Sequence, residues 1–472
     1  MQTMKRVVAL LCTGGVALGL WGATPALAQK RSVAEEILEI LRAENKISED
    51  KYQELMNRAK AENEAREAGL EAFRRDPVKE VKKSIDWLDR LSFSGDMRVR
   101  YEGFYQDHGP NANQRDRERF RLRFGATMKI TDELLGGIRL ASGDPNDPIS
   151  TNQTMTDLFT RKPISIDQVY ITLTPKQSIG LAEIPWTPIS ITAGKFANPA
   201  FRPRAVMNSE LIWDDDLTPE GLSETLTTYD SPDGLLRRFQ LNTMQWVARE
   251  NSRSADAWMI GGQAVAALQV LPKARLTLAM ADYGFIKSDA YAQARNTNNS
   301  LVLTNTAVLQ DGTIVPGGFP ITPGTGAKQI KRFLGGFNII NGAFQLDYDT
   351  GYARWPLALM ADFAYNTEAK TSKDFAVWTG ASLGQTRNPG VWAFSAVWAR
   401  VETDAVMSFF NYSDFGRNGG TNVQGPFLKI DYMLFPRLTL TAKNHFVSFI
   451  DRPAKQSNST LNRFQLDAVL AF

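Results

Sequence analysis

The stretch Phe93-Ser94-Gly95-Asp96-Met97-Arg98-Val99-Arg100-Tyr101-Glu102 decides the fold. Its odd positions are apolar, aromatic or small, and its even positions are polar or charged. A period of two sends one set to each face of a β-strand and forms no stripe on a helix. The next segment repeats the rule, with Phe120, Leu122, Phe124, Ala126, Met128 and Ile130 alternating with Arg119, Arg121, Arg123, Thr127 and Lys129. Such runs recur to the end, as in Leu357, Leu359, Ala361, Phe363 and Tyr365, in Trp392, Phe394, Ala396 and Trp398, and in Leu428, Ile430, Tyr432 and Leu434. We count about sixteen of them, with a margin of two, which predicts an all-β transmembrane antiparallel barrel.

Connection lengths are a second signal. Short turns at residues 131–133, 230–234, 272–273 and 436–437 alternate with long loops at 143–163, 198–220, 287–331 and 405–424. In outer-membrane barrels the short turns face the periplasm and the long loops face outside. With residue 92 on the periplasmic side, every one of these loops falls outside and the C-terminus returns to the periplasm. Residues 175–188 are long for an inner turn, and residues 251–256 are short for an outer loop. The chain has 472 residues, of which 22% are charged, and a mean hydropathy of −0.27. After the first segment it has no run of 18 apolar residues, which excludes a helical membrane protein but not a barrel, whose alternating strands average toward zero. A net charge of +3 predicts no nucleic-acid partner.

The N-terminal region has a different composition. Lys5 and Arg6, an apolar run over residues 7–20 and Ala26-Leu27-Ala28 predict a signal peptide over 1–28. The single cysteine, Cys12, lies within it, so the mature chain is expected to have neither disulfides nor thiolate metal sites. Residues 29–91 are expected to form a helical periplasmic segment ahead of a barrel over 92–472. Val33, Ile37, Ile40 and Leu41 mark one helix, Ser48 offers an N-cap, and Tyr52, Leu55, Met56 and Ala59 mark a second. Asp76-Pro77 is expected to break the pattern before Val78, Val81, Ile85 and Leu88 resume it. This segment reads either as a solvated linker or as an element that buries its apolar stripe in an oligomer or against the cell wall.

Several motifs carry a family resemblance. They are residues 94–102, the strand over 117–124, residues 140–153 (LASGDPNDPISTNQ), Ala193-Gly194-Lys195-Phe196 and Trp213-Asp214-Asp215-Asp216. Together they resemble the bacterial "putative porin" family across most of residues 90–472. The resemblance implies an outer-membrane barrel and names a class of protein without naming a cargo. The last strand, Phe464, Leu466, Ala468, Leu470 and Phe472, resembles the C-terminal signal read by the barrel assembly machinery. Outer-membrane lipids are the expected surroundings, and a homotrimer is expected by analogy with general porins.

A channel needs a polar interior, with rings of charge that set which ions pass. The polar parity supplies Arg98, Arg100, Arg119, Arg121, Arg123 and Arg139 as candidate pore-lining residues. The third outward loop supplies Glu210, Asp214, Asp215 and Asp216 as candidates for a constriction. Either this loop folds inward and its acids face the arginines across the pore, or the arginines pair with neighbours such as Asp96 and Glu118 while the triple aspartate forms a solvated or calcium-bridging surface loop. Residues 143–148 read as a turn rather than a calcium site, since they lack EF-hand spacing. Tyr101, Phe104, Tyr105, Trp186, Trp355, Trp392 and Trp398 read as interface aromatics. The only histidines are His108, in a loop, and His445, on the inward parity, so no catalytic constellation is expected, nor a cofactor or metal. The reading is therefore a porin for small hydrophilic solutes or ions, with a possible preference for anions. The rival reading is a structural barrel tethering the envelope through its N-terminal helices.

Overall fold

A computed structural model describes residues 33–106, 114–156, 158–204, 207–252, 255–416, 419–453, 456–457 and 459–472. The expected signal peptide over 1–28, with Cys12, lies outside the described residues, as does His108. The chain divides into two compact units, one ending at Leu88 and one beginning at Asp89.

The first unit contains α1 (Val33–Ala43) and α2 (Glu49–Ile85). The Ser48 carbonyl accepts the Tyr52 N–H at 2.9 Å, opening α2 where the sequence placed its cap. Arg42 joins the helices by donating to Glu49 at 2.9 Å and lying 4.7 Å from the centre of the Tyr52 ring, which is buried. The break expected at Asp76-Pro77 does not occur, because α2 runs through it for 37 residues. An interior proline costs about 3 kcal/mol through one lost N–H and a crowded carbonyl. The regular i→i−4 bonds on both sides continue the helix past that defect.

The second unit is a closed antiparallel barrel of 16 strands. They are β1 (Leu91–Tyr105), β2 (Gln114–Lys129), β3 (Leu134–Ser142), β4 (Ile164–Leu173), β5 (Ile189–Lys195), β6 (Glu220–Asp230), β7 (Leu236–Arg249), β8 (Ala257–Leu271), β9 (Ala274–Ile286), β10 (Asn338–Tyr348), β11 (Leu357–Asn366), β12 (Phe375–Gly384), β13 (Trp392–Val401), β14 (Val423–Phe435), β15 (Leu438–Phe449) and β16 (Leu461–Ala471). Each strand pairs with the next, and β16 closes on β1 from Asp96↔Ala471 to Tyr105↔Asn462. Short turns occupy one end, and loops L1 to L8 occupy the other. The loops used below are L2 (143–163), L3 (196–219), L5 (287–337) and L7 (402–422).

The two awkward connections keep the ends assigned to them. Residues 250–256 form a short L4, and residues 174–188 form a long inner turn. That turn is pinned by Glu133, whose carboxylate accepts the backbone N–H groups of Lys176 at 2.7 Å and Ser178 at 3.1 Å. These donors hold the carboxyl down at about 2.

Alternation sorts the wall as expected. Phe93, Met97, Val99, Phe124, Leu428 and Ile430 are exposed on the outer face, while Arg100, Glu102, Arg463, Gln465 and Asp467 are buried inside. Phe104 corrects the interface-aromatic reading. It lies on the even, inward parity of β1 and is 2% exposed, with the guanidinium carbons of Arg117 and Arg463 at 5.1 and 4.9 Å from its ring centre. Tyr105, Trp392 and Trp398 do stay exposed on the outer face.

Both ends of L3 leave the wall at glycines. Gly194 (φ 120°) and Gly221 (φ 143°) are register partners across β5 and β6. A Cβ would sit 2.3 Å from the Val169 carbonyl oxygen at the first position and 2.2 Å from that of Gln245 at the second. Only glycine adopts these angles without strain.

Candidate functional site

The register sets an electrostatic problem. Arg98 lies opposite Arg121, and Arg100 lies opposite Arg119, across β1 and β2. Like charges directly opposite are destabilising, so this wall needs carboxylates. Asp96 takes Arg121 at 2.6 Å and Arg123 at 2.7 Å. Asp467 of β16 takes Arg100 through two bonds of 2.7 and 2.8 Å. Glu102, fully buried, contacts Arg117 and accepts from Arg463 Nε at 2.9 Å and Gln465 Nε2 at 2.7 Å. Arg119 lies 3.9 Å from the same carboxylate. Arg139 pairs with Asp167 of β4. Glu118, expected as a partner of the arginines, lies on the outward parity of β2 with Phe120 and Leu122. Glu102 takes that place.

Two loops supply the rest of the negative charge. L3 folds into the barrel and brings Asp216 to Arg123 at 3.2 Å and Arg121 at 3.7 Å. L2 turns inward with it, Thr151 giving its N–H and hydroxyl to Asp216 at 3.0 Å each. Within the turn of L2, Asp144 and Asp147 accept the backbone N–H groups of Asn146 and Ile149. L7 brings Asp414 to Arg100 at 2.9 Å and Arg463 at 2.6 Å. Of the four acids expected in the constriction, Asp216 alone touches the arginine wall. Asp215 pairs with Arg202 of its own loop at 2.8 Å. Asp214 accepts the N–H groups of Asp216 and Ser413, both at 2.8 Å. Glu210 accepts that of Asp215 at 3.0 Å. Acid and base therefore meet in contact, rather than facing one another across an open pore.

Burial pushes the carboxyls of Glu210 and Asp214 well above the usual range, with neighbouring Asp215 and Asp214 adding to it for Glu210 and Asp216 adding to it for Asp214. Burial acts on Asp216 too, but Arg121, Arg123 and Arg98 outweigh it and hold this carboxyl below its ordinary value.

L3 crosses the interior. Near its start, the Phe201 N–H reaches Gln263 of β8 at 2.7 Å, and the Arg204 N–H reaches Gln345 of β10. Ser209 donates to Asp362 of β11 at 2.6 Å. Trp213, 2% exposed, packs its ring 5.4 Å from Trp246, 5.2 Å from Tyr283, 6.1 Å from Phe285 and 6.1 Å from Phe410 of L7. L3 and L7 are stitched by Asp214 N–H to Phe410 O at 2.7 Å and Tyr412 N–H to Glu210 O at 3.1 Å. Asn305 of L5 donates to the carbonyls of Thr403 and Val406 in L7 at 2.7 and 2.8 Å. This end of the barrel therefore holds a packed core made of loops.

Two cavities lie along this core. A chamber of 290 Å³ is lined by both charge sets, including Arg98, Arg100, Arg121, Arg123, Asp214 and Asp216. Arg119 and Arg139 are not among its lining residues. A vestibule of 920 Å³ near the short turns is lined by Arg204, Lys273, Arg275, Gln345, Asp347 and Tyr352, among others.

The sequence matches the family described as "Putative porin" over residues 107–313 and 337–468. The chain belongs to that porin family. It is accordingly an outer-membrane channel protein with a non-enzymatic fold. Among solved structures, it is similar to OprB of Pseudomonas putida at high pH (13% identity, 82% of this chain and 96% of that one, TM-score 0.48). It is also similar to OmpF of Salmonella typhi in complex with daunomycin (10% identity, 81% and 97%, TM-score 0.46). A third is the outer membrane channel DcaP of Acinetobacter baumannii (11% identity, 81% and 97%, TM-score 0.40). No curated protein matches.

Sequence reasoning missed several residues of the porin's interior. Asn152 accepts from Arg98, and Tyr412 accepts the Lys443 ammonium at 2.9 Å and shares a 2.9 Å hydrogen bond with His445 Nε2. Inward parity marks Lys443 and Arg463, as it marks His445, but parity says nothing of Asp414, Tyr412 or Arg204, which reach the interior on loops. The one available hint for L3 was Arg202-Pro203-Arg204, a basic pair in the loop that carries the triple aspartate.

Proposed function

We propose that this porin is a water-filled diffusion channel for small hydrophilic solutes with a preference for anions. The observation that carries the reading is the charge lining the 290 Å³ chamber: Arg98, Arg100, Arg121, Arg123, Arg204, Lys429 and Lys443 against Glu210, Asp214, Asp215, Asp216, Asp414 and Asp467. Formal charges nearly cancel. Burial raises the pKa of the Glu210 and Asp214 carboxyls, which weakens the negative side of that balance and favours the cations.

Single-channel conductance in a planar bilayer, with reversal potential under a potassium chloride gradient, tests this reading. Ohmic steps with anion preference are expected. Cation preference, or a folded barrel with no steps, would remove it.

The pH dependence has a definite sign. Raised carboxyl pKa values mean neutral acids below those values and added negative charge above them. Anion preference is therefore expected to fall as pH rises and these carboxyls ionise, as read from the reversal potential. A preference that grows with pH would contradict the upward shift of Glu210 and Asp214.

We also propose that residues 1–28 are a cleaved signal peptide, that residues 29–91 lie in the periplasm, that the strand ending in Phe472 is read by the barrel assembly machinery, and that the porin is a homotrimer. Exposed Ile37 and Ile40 on α1 support a contact made by the helical segment. Deleting residues 29–90 is expected to leave conductance intact while weakening association with the cell wall, measured by co-sedimentation with peptidoglycan.

A further inference from the structure

The cations of the chamber are not electrostatically equal. Arg100 touches Asp414 and Asp467, Arg121 and Arg123 share Asp96 and Asp216, and Lys429 holds Asp431 at 2.7 Å. A paired charge presents a dipole to a passing ion, and its field dies away faster with distance than that of a lone charge. Among the described residues, Arg98, Arg204 and Lys443 line the chamber with no carboxylate within 4.0 Å. Arg98, opposite Arg121 on the wall, is tied to Asn152 of L2, and Lys443 is spent on the Tyr412 hydroxyl.

Arg204 differs from both. Its backbone is held across the lumen by Gln345 and by a bridge to Asn208, while its side chain is exposed. It also lines both the chamber and the 920 Å³ vestibule, so it stands where the two cavities approach one another. Arginine keeps its charge at any accessible pH, and its planar fork offers donors to an anion on either side.

We propose that Arg204, rather than the arginine wall of β1 and β2, is the residue that sets the porin's preference for small anions. This rests on the channel reading above. An anion moving between vestibule and chamber passes within reach of a guanidinium that has no carboxylate within 4.0 Å among the described residues, and a cation meets the same charge.

The test compares chloride-to-potassium permeability ratios, from reversal potentials, for the full porin, Arg204→Gln, Arg204→Lys and the pair removal Lys328→Gln/Asp311→Asn. Arg204→Gln is expected to lower the ratio several-fold and Arg204→Lys to keep it. Pair removal is expected to leave the ratio unchanged, because Lys328 and Asp311 pair in L5 and line neither cavity. The exposed Arg204 side chain can be changed without touching the core. A wild-type ratio retained by Arg204→Gln overturns the proposal while leaving the channel reading intact, and an equal fall on pair removal overturns it as well. Absence of anion preference in the unmodified porin removes the channel reading itself.

Discussion

Trp213→Ala is expected to unseat L3, raising the mean conductance several-fold and replacing steady steps with noisy ones. The indole is the largest apolar anchor of L3, buried in one cluster with Leu211, Ile212 and Leu217 of the same loop. It fills the space between Trp246 of β7, Tyr283 and Phe285 of β9, and Phe410 of L7. Truncating such a side chain costs about 3–5 kcal/mol, part of it transfer free energy and part the cavity left behind. The polar contacts of L3 do not replace that loss, since each was formed at the expense of a bond to water and nets about 1 kcal/mol. L7 is stitched to the same loop through Phe410 and Tyr412, so loosening is expected to spread to it. Trp213→Phe retains a ring and is expected to behave close to the parent. The measurements are single-channel recording and the urea midpoint of the refolded porin in detergent. Parental values of both for Trp213→Ala would mean that L3 is held by its ion pairs and by its other buried apolar side chains, such as Leu211 and Ile212.

The same loop shows how far the sequence could be read. Strand alternation is a local property, so residues such as Val99 and Arg100 could be assigned to faces from their neighbours, and the sixteen strands follow from repeating that step. The face of Phe104 was misread because an aromatic near a strand end fits an interface girdle by composition, whereas its even parity places it inside. Proline at position 77 was read as a break by a rule about one hydrogen bond, and a helix of 37 residues has many others. The paths of L3, L5 and L7 were not legible. They depend on contacts between segments far apart in the chain, such as Asp216 with Arg123 and Asp414 with Arg463, and no periodicity encodes these. What the sequence did carry was the demand for them. An in-register file of arginines needs acids from somewhere, and the acidic run at 214–216 was one source, while Asp414 was another that carried no local mark.

Glu102→Ala is expected to produce the largest loss of stability at the barrel seam, for reasons that combine topology with charge. Glu102 lies on β1, and its partners come from both flanking strands, Arg117 from β2 and Arg463 and Gln465 from β16. It is fully buried, and Arg463 is 1% exposed. Removing one member of a buried pair leaves the other charge desolvated and uncompensated, at a cost of about 3–5 kcal/mol. Arg463 retains Asp414, but Arg117 has no other carboxylate within 4.0 Å among the described residues. The loss should therefore fall mainly on the β1–β2 side, with Glu102→Gln intermediate because it keeps the shape and one acceptor. Removing the charge on both sides of the seam, in Glu102→Gln/Arg463→Gln, is expected to cost less than the sum of the single variants, since the two substitutions remove the same buried pair and the second also takes away one of the cations that the first deprives of Glu102. Urea midpoints of the four proteins in detergent measure this coupling. Strict additivity would mean that the seam is held by the β1–β16 backbone ladder from Asp96↔Ala471 to Tyr105↔Asn462, with the buried ions contributing only to the polarity of the interior.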